Sequence, residues 1–411
     1  MPALCHVYES FALLQFKESL TINNSASRDP LAYPKVSSWT VESDWCSWDG
    51  VECDENSGHV IALNLSGSCL CGSINSSNSL VRFTQLERLN PADNHFNYSR
   101  ILPELGHFPK LTHLNLSASF FTSKTRVLGP LHNRNLSGHF PEFRSRSPLR
   151  TLWFSDTSLS GKIPNSIWQL ESLEFFSVAR WNRLTGQIPH WIGNLTSLTV
   201  AIFARNKLYG PVPQSLSRLK HLRSLNLFEN DLNGTVDFNM FLEMKHLAEL
   251  GLDGNMLSVI FRKENATVVR NKFEILGLNS CNLKHFPDFL SYKNGIRYLD
   301  LGGNNIHGLI PKWIWNSSAE TMAYLALNDN FLTGIKQYSQ GDNKESEEIL
   351  SDIFCNLKSL QLLDFSNNLL SGSRLPKCLE HPNNLLSVLN IRSNLFAVQF
   401  LNYAKTTEEA R

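Results

Sequence analysis

The chain has 411 residues, 42% of them hydrophobic and 18% charged, with a formal net charge of +1. This composition supplies a globular core, and its charge balance argues against a nucleic-acid surface or a polybasic membrane patch. No apolar run approaches the ~18 residues of a spanning helix, and Met1-Pro-Ala-Leu-Cys5-His6 is not the apolar stretch of a signal peptide.

Residues 9–20 place Phe11, Leu13, Leu14, Phe16 and Leu20 at helical spacing, which predicts an amphipathic helix. After a loop with Pro30 and Pro34 comes Trp39, then Trp45-Cys46-Ser-Trp48-Asp-Gly50-Val51-Glu-Cys53. Two cysteines this close predict a local disulfide, Cys46–Cys53. Residues 1–58 thus read as a cap for whatever is stacked behind them.

From Val60 onward one phrase recurs. Val60-Ile-Ala-Leu63-Asn-Leu65 is a clean strand, whereas Leu86-Glu-Arg-Leu89-Asn-Pro91 puts proline at a core position and should weaken its strand. Leu111-Thr-His-Leu114-Asn-Leu116 is clean again, but residues 118–148 break the pattern. Asn135-Leu136-Ser-Gly138-His-Phe140-Pro141 is the second half of a repeat without its own strand, from a deletion or from a looped-out insertion. Between Leu149 and Leu247 the first leucines of successive repeats stand 24 or 25 residues apart. Each repeat runs from Leu-x-x-Leu-x-Leu to a phrase such as Asn182-Arg-Leu184-Thr-Gly186-Gln-Ile188-Pro189. The alternation makes a short strand with one buried face. The asparagine serves buried backbone groups, the glycine permits a turn, and proline re-extends the chain.

This is the leucine-rich-repeat signature. It predicts an α/β-class solenoid: a right-handed superhelix with a parallel sheet on the concave face and 3₁₀ or short helices on the convex face. Leu170, Leu195 and Leu219 should close the core on the convex side, and Leu152, Leu225, Leu250, Leu276 and Leu299 should be buried in file. The repeats continue to residue 396, with Cys281 in the place of a ladder asparagine and a second irregular stretch at 335–352. Residues 397–411 carry no repeat. Cys355 and Cys378 are 23 residues apart, near one repeat, and are expected to bridge neighbouring coils.

Ala12-Leu13-Leu14-Gln-Phe16-Lys17, Ser38-Trp39 and Cys46-x-Trp48-x-Gly50-Val51-x-Cys53 resemble the N-terminal cap of plant leucine-rich-repeat receptor-like proteins. Leu-x-Gly-x-Ile-Pro resembles the plant subclass of the repeat. The early Cys5-His6 and Ser47-Trp48-Asp-Gly-Val-Glu-Cys53 are similar to the large receptor-like group of plant immunity. The resemblance implies an extracellular face for a peptide, protein or glycan ligand, a plasma-membrane anchor, and defence or developmental signalling through a co-receptor kinase. The family usually has two adjacent cysteines at the knot, the first pairing with the early one. Here Trp45 takes that place, so Cys5 lacks its expected partner, and Cys69 and Cys71 remain open alternatives with unpaired thiols. Without a visible signal peptide, anchor or cysteine-bearing C-terminal cap, the chain reads as a truncated ectodomain. A secreted inhibitor like those that block fungal polygalacturonases, and a non-functional remnant, are the alternatives.

No catalytic motif, cofactor motif or metal-ligand pattern is present, which argues against an enzyme. Sequons occur at Asn23, Asn64, Asn75, Asn97, Asn115, Asn135, Asn194, Asn233, Asn265 and Asn316. The candidate ligand-binding positions are those outside the core register of the concave strands: Trp153, Phe175, Ser177, Arg180, Ile202, Arg205, Asn226, Phe228 and Glu229. Exposed aromatic and arginine side chains are what binding hot spots favour. Trp168, Trp191, Trp313 and Trp315 follow the Ile-Pro phrases and are expected to be structural.

Overall fold

A computed structural model describes residues 7–27, 29–73, 79–96, 99–117, 137–180, 182–262, 272–292, 295–317, 320–338, 345–348, 357–372 and 385–396. The chain forms two compact units, Met1–Leu222 and Arg223–Arg411.

The first unit opens with the helix Val7–Glu18, two residues earlier at each end than the apolar spacing suggests. Ala12, Leu13 and Phe16 are fully buried. Leu20 belongs instead to a strand, Leu20–Ile22, antiparallel to Leu70–Gly72. Glu9, buried near the helix start, accepts a bond from the Val60 amide at 2.9 Å and faces His59 at 3.2 Å, which ties the helix to the first repeat. Trp39 stacks on Trp48 at 5.5 Å, and the Cys46–Cys53 bridge holds the loop beside them. Val51–Cys53 then pairs antiparallel with Val60–Asn64 and covers the open edge of the first repeat strand.

Six parallel strands follow in the first unit: Val60–Asn64, Arg88–Asn90, His113–Asn115, Thr151–Trp153, Phe175–Ser177 and Val200–Ile202. Their register aligns Leu63, Leu89, Leu114, Leu152, Phe176 and Ala201 in one buried file. Pro91 has the expected effect. The pairing of Arg88–Asn90 with the next strand stops at Leu89, because proline has no N–H for the following bond. A second parallel sheet is formed by Ser137–Gly138, Ser158–Gly161, Arg183–Gly186 and Lys207–Gly210, one strand from each coil. Three-residue-turn helices such as Asn165–Gln169 and His190–Asn194 follow the Ile-Pro phrases. Leu170, Leu195 and Leu219 are fully buried beneath them.

The described residues on either side of the irregular stretch at 118–148 pair with one and the same following coil. His113–Asn115 pairs directly with Thr151–Trp153, and Ser137–Gly138 pairs with Ser158–Gly161. The orphan half-repeat therefore completes the coil begun at Leu111. Residues 118–136 lie outside the described residues.

The second unit repeats the plan with Ser224–Asn226, Glu249–Gly251, Ile275–Gly277, Tyr298–Asp300, Tyr324–Ala326, Leu362–Asp364 and Val388–Asn390. Leu225, Leu250, Leu276, Leu299, Leu325 and Leu363 form its file, each fully buried. A cluster of Phe238, Phe241, Phe273 and Phe289 fills the convex side where the Ile-Pro phrase is missing. The stretch at 335–352 is not simply a break: Phe331–Tyr338 runs on to pair antiparallel with Glu345–Glu348. Of the four tryptophans expected to be structural, Trp315 is fully buried, whereas Trp168 is 44% exposed and fills no core. No described helix is long and apolar enough to cross a membrane.

Candidate ligand-binding face

Buried asparagines hold the concave strands in place. Asn206 donates to the carbonyls of Val178, Phe203 and Ala204 and accepts from the Leu184 amide. Asn304 donates to Leu278, Leu301 and Gly302 and accepts from the amides of Cys281 and Leu283. Each such side chain ties its own turn to the coil before it. The residue preceding the ladder position is left-handed in coil after coil: Asp156, Arg205, Glu229, Ser280 and Asp329 have φ between +50° and +58°, and Gly254 and Gly303 occupy the same place. Arg180 has φ +57° too, with Trp181 inserted before Asn182. Three of the candidate positions, Arg180, Arg205 and Glu229, are thus turn residues as well as exposed side chains.

On the concave face of the first unit, Phe175 is level with Thr151 and Val200, and Ser177 with Trp153 and Ile202. The Trp153 and Phe175 rings lie 5.3 Å apart at 52°, both half-buried. Ile202 is half-buried as well. Ser177 corrects the sequence reading: it is 2% exposed and bonds the Ser155 hydroxyl at 2.7 Å. A small side chain between two large ones in register is covered by them. An exposed Arg150–Glu174 pair, 2.8 Å, flanks the patch. Desolvation first, and then Arg88 and Arg150, hold His113 below the ordinary histidine pKa.

In the second unit Asn226 accepts from the Phe228 amide at 3.0 Å, and both side chains are half-buried. Glu229 is exposed. Farther along, the concave positions change character. Gly251, Gly277 and Asp300 are level, as are Glu249, Ile275, Tyr298 and Tyr324. Tyr298 and Tyr324 stack at 4.1 Å. Asn279 links two buried acids: its amide donates to Asp253 at 2.7 Å and its side chain to Asp300 at 3.2 Å. Burial, reinforced by Asp300, pushes Asp253 up to about 7. Burial raises Asp300, Tyr298 and Tyr324 in the same direction. These residues escaped the sequence reading, although the repeat register places Tyr298, Tyr324 and Asp300 level with the positions that singled out Phe175 and Trp153.

Among the described residues no group of His, Cys, Asp and Glu could hold a metal ion. Cys69, Cys71 and Cys281 are thiols. Cys5, Cys355 and Cys378 lie outside the described residues, as do Asn75, Asn97, Asn135, Asn265 and the side chain of Asn316. Asn194 and Asn233 are exposed. Asn23 caps a turn through Ser25, and Asn64 and Asn115 lie in concave strands with their Oδ1 atoms already accepting bonds.

Residues 8–54 match the leucine rich repeat N-terminal domain, and residues 148–170 and 295–317 match the Leucine Rich Repeat. Receptor-like protein 6 of Arabidopsis thaliana is 30% identical over 95% of this chain and 62% of its own length. Receptor-like protein Cf-9 of Solanum pimpinellifolium is 30% identical over 54% of this chain and 31% of its own length. The chain thus spans less than two thirds of these relatives. Among solved structures, PEPR1 with AtPEP1 superposes with a TM-score of 0.63 at 22% identity, covering 94% of this chain and 52% of that one. The plant peptide hormone receptor RGFR1 with RGF2 gives 0.54 at 24% identity, covering 79% and 50%. At these identities the structures show a shared fold.

Proposed function

We propose a function from one premise: this chain belongs to the plant leucine-rich-repeat receptor-like proteins. It is a non-enzymatic, ligand-binding part of a cell-surface receptor, with the concave face of the first unit as its binding surface. The observation that carries this reading is the Trp153–Phe175 ring pair, apolar side chains left open to solvent outside the core register. Half-exposed aromatic side chains on a rigid sheet lose little freedom on binding and bury a large area when covered. The ligand is a peptide, which would lie across the strands; PEPR1 and RGFR1, of the same fold, are solved with AtPEP1 and RGF2. Signalling passes through a co-receptor kinase at the plasma membrane, in defence or in development, as the family implies.

The test is binding of the purified chain to a fractionated pool of plant extracellular peptides, followed by mass spectrometry. Peptides retained by the parent protein should be lost from Trp153→Ala and Phe175→Ala variants of unchanged melting temperature. Retention of the same peptides by both variants would remove the concave aromatic pair from the binding site.

A further inference from the structure

A second surface of the first unit has no part in that reading. A groove of about 1240 Å³ opens beside the second sheet, with Arg100, His107, His139 and Arg183 on its lining. All four side chains are exposed, and Glu142 is the one acidic residue on that lining among the described residues. Neither Arg100 nor Arg183 has an ion-pair partner among the described residues. The described sequence around it is basic: residues 100–117 and 137–150 hold five Lys and Arg against two Glu, in a chain whose net charge is +1. Such an excess confined to one region attracts an anionic partner.

Strand order sets the spacing of the two guanidinium-bearing residues. Arg100 bridges to Ser137, Ser137–Gly138 pairs with Ser158–Gly161, and that strand pairs with Arg183–Gly186. Arg100 is level with Ser158 and Arg183 with Ser160, so three steps of about 4.8 Å and a two-residue stagger of about 7 Å put Arg100 and Arg183 about 16 Å apart along the sheet. An extended peptide advances about 3.4 Å per residue, so side chains four apart point the same way about 14 Å apart, and the long arginine side chains take up the difference. The Ser160 strand and His139 lie between the two arginines. Arginine pairs carboxylates through charge-assisted bonds with fixed geometry. We propose that this groove binds an extended acidic peptide segment whose carboxylates, four residues apart, meet Arg100 and Arg183 together.

Fluorescence anisotropy of the full chain with labelled nine-residue Ser/Gly peptides tests the spacing. A peptide with Glu at its third and seventh positions should bind several-fold tighter than one with Glu at its third and fourth. The double variant Arg100→Gln, Arg183→Gln should weaken the first peptide about tenfold. Raising salt from about 50 to about 300 mM should weaken it as well. Trp153→Ala, on the concave face, should leave this binding unchanged, which separates the groove from the proposed receptor site. Arg146→Gln, off the groove lining, controls for net charge. Absence of binding, indifference to the double variant, or equal binding of both peptides would overturn the proposal. So would tighter binding of polygalacturonate than of the peptide, which would reveal a polyanion patch without peptide geometry.

Discussion

Between its core residues the first unit shows Trp153, Phe175, Val200 and Ile202 to the concave side. At the corresponding places the second unit shows Gly251, Gly277, Asp300 and Tyr298. The frame beneath is the same in both: inward leucines in file and an asparagine ladder tying each turn to the last. The coil therefore constrains the inward positions tightly and leaves the outward ones free to vary. One face became an apolar patch and the other a floor of glycines beside buried carboxyls.

The shared frame predicts equal cost where the surfaces differ. Asn206→Ala and Asn304→Ala should each destabilise their own unit by roughly 3 kcal/mol, since each leaves several buried backbone groups without partners. Urea unfolding followed by hydrogen exchange in each unit measures this. A cost in one unit alone would break the equivalence.

Next in size is the binding contrast. Trp153→Ala should lower affinity for a concave-face ligand by tenfold or more, about 2 kcal/mol, as hot-spot truncations do. Its effect on melting temperature should be much smaller, because Trp153 is only half-buried. A large stability loss would make the ring structural.

Gly277→Ala sharpens the other side of the comparison. An added Cβ would sit 1.8 Å from the Asp253 Oδ2 atom, whose carboxylate is held by the Asn279 amide. The expected cost is about 1–2 kcal/mol. Combining it with Asp253→Ala should remove most of that cost, a coupling that a double-mutant cycle reads directly.

The carboxyls should also give the second unit a pH response that the apolar patch does not give the first. Asp253 is raised to about 7 in the folded chain, against about 3.9 unfolded, so the folded state holds its proton more tightly. Its contribution is fully present below the unfolded value and is lost as pH rises through about 7. Asp300 and Tyr298 face the same recess, and Asp300 acts in the same direction. Unfolding at pH 5 and pH 8 should show the parent losing more stability on the alkaline side than Asp253→Asn. Parallel pH profiles would dismiss the effect.

A last contrast concerns the left-handed turn position. Arg205→Gly should be neutral or slightly stabilising, whereas Arg205→Val should cost about 1–2 kcal/mol, because a β-branched residue resists positive φ. Thermal melts of the two variants distinguish them.

Periodic features were legible from residue order alone. The 24–25-residue spacing, the inward leucines, the ladder asparagines and the damage done by Pro91 all follow from local geometry repeated at a fixed interval. Each depends on neighbours one coil away, and the period states where those neighbours are. What needed the tertiary structure was every property set by the size and charge of lateral neighbours. Ser177 faces the concave side yet is covered, because Trp153 and Ile202 stand level with it. The half-repeat at 137–141 found its coil only through its pairing with Ser158–Gly161. Asp253 reads in sequence as an ordinary surface acid. Packing in the coils removed it from water and brought Asp300 near it, and desolvation is a property of the assembled sheet rather than of any one repeat.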